Sequence, residues 1–397
     1  MEDVTLEENT ITNEKKVSVI MKFIQKIKSW WKNATKVQKS AALILLVAII
    51  GGGAIAVYSF SADSKEPVVP PLSNIGNSDV VATEPEEPKD KALPLTGELV
   101  TMSEYADIID RKVLAVVVEN HPDARPQSGL NDADIVFETL VEGGITRFVG
   151  IFQSKTPEVV GPVRSVRKYF LDFIAGFGDP LFMHIGGAVS DNPEANALAV
   201  LSQRSVKSLG LLNGTSWRVS DRFAPHNAYS SVVQLRETAK DMGWTGSPSL
   251  ETWKYKDPVS NVENVTAPTI NVNWGSWGSN SWSVTWKFDS ATNRYFRFHQ
   301  NEAHIDAVTR DQLTARNVII MYTPQALAND GTSRIVVDAI GTGKALIFRD
   351  GTVIEGQWSK DTFTDAYTFE DAQSNAIPLN RGNSWLMVVS LDSEVTY

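Results

Sequence analysis

The residues best suited to chemistry are concentrated in one stretch of the chain, namely Glu138, Glu142, Arg147, Arg164 and Arg167. Carboxylates act as general acids or bases, and guanidinium forks bind carboxylates or phosphates. The two glutamates are four residues apart, which is about 13 Å along a strand at about 3.3 Å per residue. Glycosidase carboxylate pairs lie roughly 5–9.5 Å apart. A two-carboxylate mechanism therefore requires another acid, such as Glu119, from a neighbouring strand.

Alternating apolar and polar residues flank Gly143-Gly144 and predict a β-hairpin with a two-residue turn. In this register, Arg147 lies opposite Leu140, on the sheet face that also carries Glu138 and Glu142. We favour an ion-pair network on this face. Glu142 and Glu119 remain candidate catalytic residues.

Arg164 and Arg167 follow Gly161-Pro162 at the start of a predicted helix over residues 164–177. Their spacing places both side chains on one helix face. Because exposed amides at a helix start attract anions, the two arginines indicate a carboxylate or phosphate ligand. Pairing with acids from another segment is the alternative, and the sequence leaves both open.

Three histidines, His121, His184 and His226, lie near polar turns. No short spacing of the HExxH type links them, so we predict neither a metal site nor a cofactor. A histidine at a strand end is usually a hydrogen-bonded structural residue. His226 or His184 would assist a glutamate if the protein were an enzyme. Ser165 lacks the GxSxG context of a serine hydrolase nucleophile.

The elements that must position these residues indicate an α/β or α+β fold. Residues 112–119 (KVLAVVVE) predict a central strand that ends before Asn120-His121-Pro122. Helices are predicted over 192–203 and 232–242. We expect a mixed α/β domain over residues 94–250 and a β-rich C-terminal subdomain over 265–397. Core and turn packing is the favoured role of four aromatic residues near the start of that subdomain, Trp274, Trp277, Trp282 and Trp286. A platform on which sugar rings stack is the alternative.

Composition excludes several classes of function. The 397 residues carry a net charge of −10 and no cysteine. Nucleic acid is therefore not an expected partner. Disulfides, thiolate metal sites and a lipidated cysteine anchor are ruled out.

The N-terminal part of the chain predicts a membrane anchor. Residues 40–61 lie in a charge-free apolar run that is long enough to span a bilayer. Lysines precede this run and acids follow it, which places the N-terminus in the cytoplasm and the C-terminal domains outside the cell. Residues 1–39 predict a basic tail with an amphipathic helix, and a lysine-rich flank that only sets the membrane topology is the alternative. Residues 62–93 are Pro-rich and acidic and predict a disordered linker. A cleaved signal peptide is the disfavoured alternative.

Five blocks in the sequence resemble the YerB-like family, which is built on domain of unknown function 3048: ENHPDARPQSGLNDADIVFE, VEGGITRFVGIFQS, VGPVRSVR, HIGGA and APHNAYSS. The resemblance spans about residues 93–395. It implies an exported protein of a Gram-positive cell surface, typically a lipoprotein, although here a transmembrane segment replaces the lipidated cysteine. It implies no settled activity. The blocks mark the candidate ligand-binding residues Arg125, Arg147, Arg164, Arg167, His121, His184, Arg222 and Asn227.

Two functions from different classes follow from these patterns. The favoured one is a membrane-anchored extracellular protein of the cell envelope. Its polar, arginine-rich cleft would bind an anionic wall glycan or peptide, or a protein partner. The alternative is an envelope hydrolase or lyase that uses Glu119 or Glu142 together with a histidine such as His226.

Overall fold

The computed structural model describes residues 87–260, 262–278 and 280–397, which belong to one compact unit. The predicted tail (1–39), the membrane anchor (40–61) and most of the predicted linker (62–93) lie outside these residues. Nowhere in the described residues is there a helix with the length and apolar character needed to span a bilayer. The linker prediction was wrong at its C-terminal end. Lys91 and Ala92 form a strand, because the adjacent Leu93 is buried in the core.

The described residues contain four α-helices: α1 Met102–Ile109, α2 Lys168–Ile174, α3 Ala197–Gln203 and α4 Val232–Asp241. The predicted helix over 164–177 was too long. The backbone of Arg167 is extended, and Val166 bridges to Gly187, so helix α2 begins only at Lys168. The helix predicted over 192–203 is divided at Asn196, whose side chain caps α3. The helix predicted over 232–242 is confirmed as α4.

The strands in the first half of the described chain are β1 Lys91–Ala92, β2 Leu99–Val100, β3 Leu114–Glu119, β4 Ile135–Leu140, β5 Thr146–Phe152, β6 Leu181–Met183, β7 Lys207–Ser208, β8 Trp217–Arg218 and β9 Ala228–Tyr229. Those in the second half are β10 Tyr255–Lys256, β11 Thr269–Asn273, β12 Val284–Asp289, β13 Arg294–His299, β14 Glu302–Ala303, β15 Thr314–Ala315, β16 Asn317–Thr323, β17 Gln325–Leu327, β18 Ile335–Val337, β19 Gly341–Arg349, β20 Thr352–Lys360, β21 Thr368–Glu370, β22 Leu379–Asn380, β23 Ser384–Ser390 and β24 Glu394–Thr396. The predicted mixed fold with a β-rich second half is confirmed.

A ten-stranded sheet runs through both halves of the chain in the order β21-β20-β19-β16-β23-β4-β5-β3-β6-β7. Strand β23 pairs in parallel with β4 and thereby joins the strands of the two halves. All six residues of β3 are buried, as its continuous apolar sequence predicts for a central strand. A domain boundary was expected between residues 250 and 265. The ten-stranded sheet contains strands from both sides of that segment and is therefore not interrupted by it.

A second sheet, β14-β13-β12-β11-β24, belongs to the second half of the chain, and β15 pairs with its strand β13. The side chains of Trp274 and Trp286 are fully buried, and the rings of Trp286 and Trp385 lie 5.2 Å apart in a T-shaped contact. Core packing is thus the role of Trp274 and Trp286. The side chain of Trp277 lies outside the described part of the structure.

The hairpin β4–β5 differs from its prediction by one residue in register. Arg147 pairs with Thr139, not with Leu140, because the connection has five residues and contains a 3₁₀ turn over Glu142–Gly144. A shift of one residue moves a side chain to the other face of a sheet. Arg147 therefore shares its face with Glu119, its partner on β3, whereas Glu138 lies on the opposite face.

Candidate ligand-binding site

The predicted arginine cleft is occupied by internal ion pairs. Arg167 donates to Glu142 through two hydrogen bonds, from Nε to Oε1 over 2.6 Å and from Nη2 to Oε2 over 2.5 Å. The Nε atom of Arg334 lies 3.7 Å from Glu142 Oε1. Arg147 is buried and donates from Nη1 to the carbonyl oxygen of Ser165 over 3.0 Å. We refer to Glu142, Arg147, Arg167 and Arg334 as the closed cluster.

The pKa shifts of Arg147 and Glu142 show that burial and the charge of Arg167 control the closed cluster. Burial, and then the charge of Arg167, lowers the pKa of the Arg147 guanidinium. Burial alone would raise the pKa of the Glu142 carboxyl, but the hydrogen bonds and charge of Arg167 lower it below the usual value. Glu142 is therefore a paired carboxylate rather than a free acid or base. This geometry favours the internal-pairing alternative over anion binding for Arg167.

Arg164 is also paired with an internal acid. Its Nε atom lies 3.1 Å from Glu119 Oε1, and the Glu119 side chain is 4% exposed. The pairing follows from the extended chain before α2, where the Arg164 amide donates to the carbonyl oxygen of Val117 on β3. Neither Arg164 nor Arg167 lies within the helix that was predicted to present them.

Glu138 forms an ion pair with Arg297, and no local sequence pattern predicts this pairing. Arg297 of β13 donates from Nη2 to Glu138 Oε1 over 2.7 Å, and both side chains are fully buried. Trp385 donates to the other carboxylate oxygen over 3.0 Å. The partners are separated by 159 residues, so only the tertiary fold brings them together.

His184 and Asn227 are engaged within the chain. His184 is completely buried. Its Nδ1–H donates to the Gly186 carbonyl oxygen over 2.8 Å, and its Nε2 accepts from the Ser208 hydroxyl. The amide nitrogen of Asn227 donates to the carbonyl oxygens of Val219 and Arg222. His184 is thus a structural histidine, and Asn227 holds the loop that carries His226.

A cavity of about 500 Å³ lies between the turn after β3 and the end of the β12–β13 hairpin. Its walls include Arg125, Trp282, His299, Gln300, Glu302 and His304. We refer to this cavity as the open pocket. Gln300 and Glu302 are exposed, whereas His299 and His304 are buried.

Arg125 provides the positive charge of the open pocket. It donates to Asn120 Oδ1 and to the Asn120 carbonyl oxygen, and its Nη1 donates to His299 Nδ1 over 3.0 Å. Its guanidinium lies 5.2 Å from the centre of the Trp282 ring. No carboxylate of the described residues forms an ion pair with it. Arg125 therefore differs from the arginines of the closed cluster, because its charge is left for another partner.

His299 adds an unused hydrogen-bond donor to the same cavity. Burial, and then the charges of Arg125 and Arg297, lowers the pKa of His299 to about 3, so its imidazole is neutral at pH 7. Since Nδ1 accepts from Arg125, the proton resides on Nε2. This buried Nε2 has no hydrogen-bond partner among the described residues. The His299 ring lines the pocket, but its Nε2–H is buried behind the surface of the wall.

His121, Asp123 and His226 cluster beside the open pocket. The two imidazole rings stack with centroids 4.6 Å apart, and His121 lies 6.5 Å from the ring of Trp282. The carboxylate oxygen Glu119 Oε1, which also faces Arg164, lies 3.0 Å from Nδ1 of His226. The arrangement places a buried carboxylate directly behind a half-buried histidine.

Arg222 holds the backbone of the turn that forms one wall of the pocket. It donates to the carbonyl oxygens of Ala124 and Pro126 over 2.7 and 2.9 Å. Its guanidinium lies 6.0 Å from the ring centre of Tyr229. Arg222 thereby links the loop of His226 to the segment of His121 and Arg125.

Comparison with known proteins identifies the family. The family model for the N-terminal domain of DUF3048, described as a protein of unknown function, matches residues 95–245. The family model for the C-terminal domain of DUF3048 matches residues 270–386. The chain belongs to the DUF3048 family. A DUF3048 relative from Bacillus subtilis (strain 168), described as "Putative lipoprotein YerB", is 31% identical over 311 residues, which is 77% of this chain and 88% of that protein. The crystal structure of YerB from Bacillus subtilis shares 30% identity, with a TM-score of 0.65 over 78% of this chain and 100% of that chain.

The fold brings only some of the sequence-predicted site residues of this DUF3048 chain together at the open pocket. Four of them converge near the open pocket, namely Glu119, His121, Arg125 and His226, with Arg222 supporting them. Sequence reasoning missed Asp123 and His299 and favoured core packing over ligand stacking for Trp282. Asp123 had a weak local signal, since it lies two residues after His121. His299 had none, because it is 174 residues from Arg125.

Proposed function

We propose that this DUF3048 protein is an extracellular, membrane-tethered protein of the cell envelope that binds an anionic wall component in the open pocket. The tether is supported by the apolar run at residues 40–61, which is preceded by lysines and followed by acids. It is also supported by the description of the Bacillus subtilis relative as a lipoprotein, since a lipid anchor serves the same purpose.

The observation that carries this proposal is the unpaired arginine beside an unpaired donor. Arg125 has no acidic partner among the described residues, and Nε2 of His299 has no hydrogen-bond acceptor. A carboxylate or phosphate in the open pocket would pair with Arg125, and a shift of the pocket wall would bring Nε2 of His299 into contact with it. Glu302, the carboxylate among the pocket walls, is exposed to solvent and therefore screened.

Binding to purified cell-wall sacculi tests this proposal. We expect the fragment 87–397 to sediment with sacculi, and Arg125→Gln to weaken binding by about tenfold, the loss of about 1.4 kcal/mol. Arg125→Lys should restore part of the affinity through its charge. Lys240→Ala is the matched control, because it removes an exposed cation from α4, away from the pocket walls.

Two preparations of sacculi distinguish the anion. Binding that persists after phosphate polymers are stripped from the wall assigns a carboxylate of the glycan or its peptide. Binding that disappears assigns a phosphate. Equal sedimentation of wild type and Arg125→Gln would contradict the proposal.

The pair Glu119–His226 supports a second candidate, an envelope hydrolase. The Glu119 carboxylate lies 3.0 Å from Nδ1 of His226 without forming a hydrogen bond to it. Once the ring rotates to align the two groups, the carboxylate can orient a histidine whose Nε2 takes up a proton from water or from a substrate hydroxyl. This candidate predicts soluble fragments released from sacculi by wild type and not by His226→Gln. Retention of the protein on the wall without release of fragments would contradict it and leave the binding function.

A further inference from the structure

Three side chains beside the open pocket present potential metal ligands to one another. His121, Asp123 and His226 each offer one ligand atom, and all these atoms lie within 4.8 Å of one another. Asp123 Oδ2 lies 3.5 Å from Nδ1 of His121 and 3.9 Å from Nε2 of His226. We infer that these three residues form a binding site for a divalent transition-metal ion of the zinc class. The inference does not depend on the proposed ligand.

The distances match the needs of a tetrahedral ion. Zinc bonds to histidine nitrogen and carboxylate oxygen are about 2.0–2.2 Å, so two ligands of a tetrahedral site are about 3.4 Å apart. The separations of 3.5 and 3.9 Å are close to this spacing. The Asp123 side chain, which is 71% exposed, is free to adjust to an ion. The rings of His121 and His226 are stacked 4.6 Å apart, so they would have to tilt toward each other to complete the site. Two histidines and one carboxylate leave the fourth position open to water or ligand.

Glu119 supplies a second observation that points to a metal. Ligating histidines usually have a carboxylate or carbonyl beside the ring nitrogen that does not bind the ion. Glu119 Oε1 lies 3.0 Å from Nδ1 of His226, and Nε2 of the same ring is the atom near Asp123. Nδ1 of His226 forms no hydrogen bond among the described residues, so Glu119 lies at the distance of an orienting group, and a rotation of the imidazole ring would align the two. The other oxygen of Glu119, Oε2, is buried and has no hydrogen-bond partner among the described residues.

The choice of ion follows from the ligand types. Imidazole nitrogen is preferred by zinc and its neighbours in the transition series, whereas calcium and magnesium prefer all-oxygen sites. An ion bound here would replace the long hydrogen bond, 3.3 Å, that the Asp123 amide donates to Nδ1 of His121. Exposure of His121 and Asp123, at 33% and 71%, gives the ion access from solvent.

Metal titration of the untagged full-length chain in detergent tests the site, since a histidine tag would itself bind zinc. After removal of metal with a chelator, calorimetric titration with Zn²⁺ should show one ion per chain. Cobalt in place of zinc should give an absorption spectrum of tetrahedral intensity. Magnesium should not compete.

Substitutions locate the ion. His226→Gln and Asp123→Asn should weaken Zn²⁺ binding more than Glu119→Gln, for which we expect a loss of about 10–100-fold, as for other orienting carboxylates. The matched controls are Asp221→Asn, an exposed acid of the loop that carries His226, and His299→Gln, a pocket histidine outside the site. Both should bind Zn²⁺ as wild type does.

Three results would overturn the inference: no zinc binding at micromolar concentrations, zinc binding that survives both His226→Gln and Asp123→Asn, or equal binding of magnesium. The exposure of Asp123 keeps the test interpretable. Asp123→Asn should melt like wild type without metal, so a loss of binding cannot be attributed to unfolding.

Discussion

The closed cluster and the open pocket both contain arginine side chains, but these side chains have different partners in the two regions. In the closed cluster, Arg167 binds Glu142 through two hydrogen bonds, and Arg147 lies buried against the same segment. In the open pocket, Arg125 contacts an asparagine, a histidine and a tryptophan ring instead of an acid. The charge of Arg167 in the closed cluster is neutralised by an acid of the same chain. The charge of Arg125 in the open pocket faces a cavity.

This difference shows what decides the role of an arginine in this fold. Both regions contain the carboxylates and guanidinium groups expected of a polar cleft. The deciding feature is whether an acid of the same chain reaches the guanidinium. Glu142 reaches Arg167 across 25 residues, and Glu119 reaches Arg164. No described acid reaches Arg125, so the contrast predicts effects on stability alone in the closed cluster and an additional effect on binding in the open pocket.

The largest effect should follow from breaking the closed cluster at Glu142. Glu142→Gln leaves Arg147 and Arg167 without their carboxylate in a mostly buried site. We expect the free energy of unfolding to fall by about 3 kcal/mol, because an unpaired buried charge is costly. Urea unfolding of the fragment 87–397 measures it. A change below about 0.5 kcal/mol, typical of surface positions, would mean that the cluster is not closed.

A pH titration of stability separates the two regions further. The folded pKa of His299, about 3, lies below its ordinary value of 6.5, so the unfolded chain takes up the proton first. Its contribution to stability is therefore complete above pH 6.5 and is lost as pH falls toward 3. Protonation of His299 changes the free energy of unfolding by at most about 1.4 kcal/mol per pH unit. Glu142, whose folded pKa is lowered below 4.5, loses its contribution only at lower pH.

The measurement compares urea unfolding of wild type and His299→Gln at pH 7, 6 and 5. The difference between the two proteins should shrink as pH falls, since only wild type loses the contribution of a neutral His299. His184 is present in both proteins, so its titration cancels. Burial, nearby arginine charges and then the charge of His299 lower the pKa of His304, so the comparison reports His299 together with its coupling to His304. A difference that is constant between pH 7 and 5 would show that His299 is not held neutral by burial and Arg125.

The smallest effect on stability should come from Asp123. Its side chain is 71% exposed, and Asp123→Asn removes no buried partner. We expect the free energy of unfolding to change by less than about 0.5 kcal/mol. A larger loss in metal-free protein would mean that Asp123 supports the turn of His121 rather than offering a ligand atom.

Much of the fold was predictable because the signals were local. The β3 run LAVVVE predicted a central strand, and the segment 232–242 predicted helix α4, whose N-terminus Ser231 caps in the structure. The register of the β4–β5 hairpin was not predictable from Gly143-Gly144. Both glycines have positive φ, as in a two-residue turn, but here they end a 3₁₀ turn within a five-residue connection.

The candidate site was only half predictable for a similar reason. Residues 119–126 supply Glu119, His121 and Arg125 from one segment, so their grouping is visible in the sequence. The other walls come from Trp282 and His299, which pairing between β12 and β13 brings to the same place. Likewise, the acid that neutralises Arg297 is Glu138, on a strand of the other sheet. Such partners are fixed by tertiary packing, which leaves no periodic signal.

The most direct test of the account measures wall binding by two arginine variants side by side. Arg125→Gln, in the open pocket, should lower the affinity of fragment 87–397 for sacculi about tenfold. It also removes hydrogen bonds to buried Asn120 and His299, so we expect the free energy of unfolding to fall by about 1–3 kcal/mol, and binding is compared at a temperature where both variants are folded. Arg167→Gln, in the closed cluster, should destabilise the fold and leave the affinity of the folded protein unchanged. The reverse result, with affinity lost at Arg167 and kept at Arg125, would contradict the assignment of ligand binding to the open pocket.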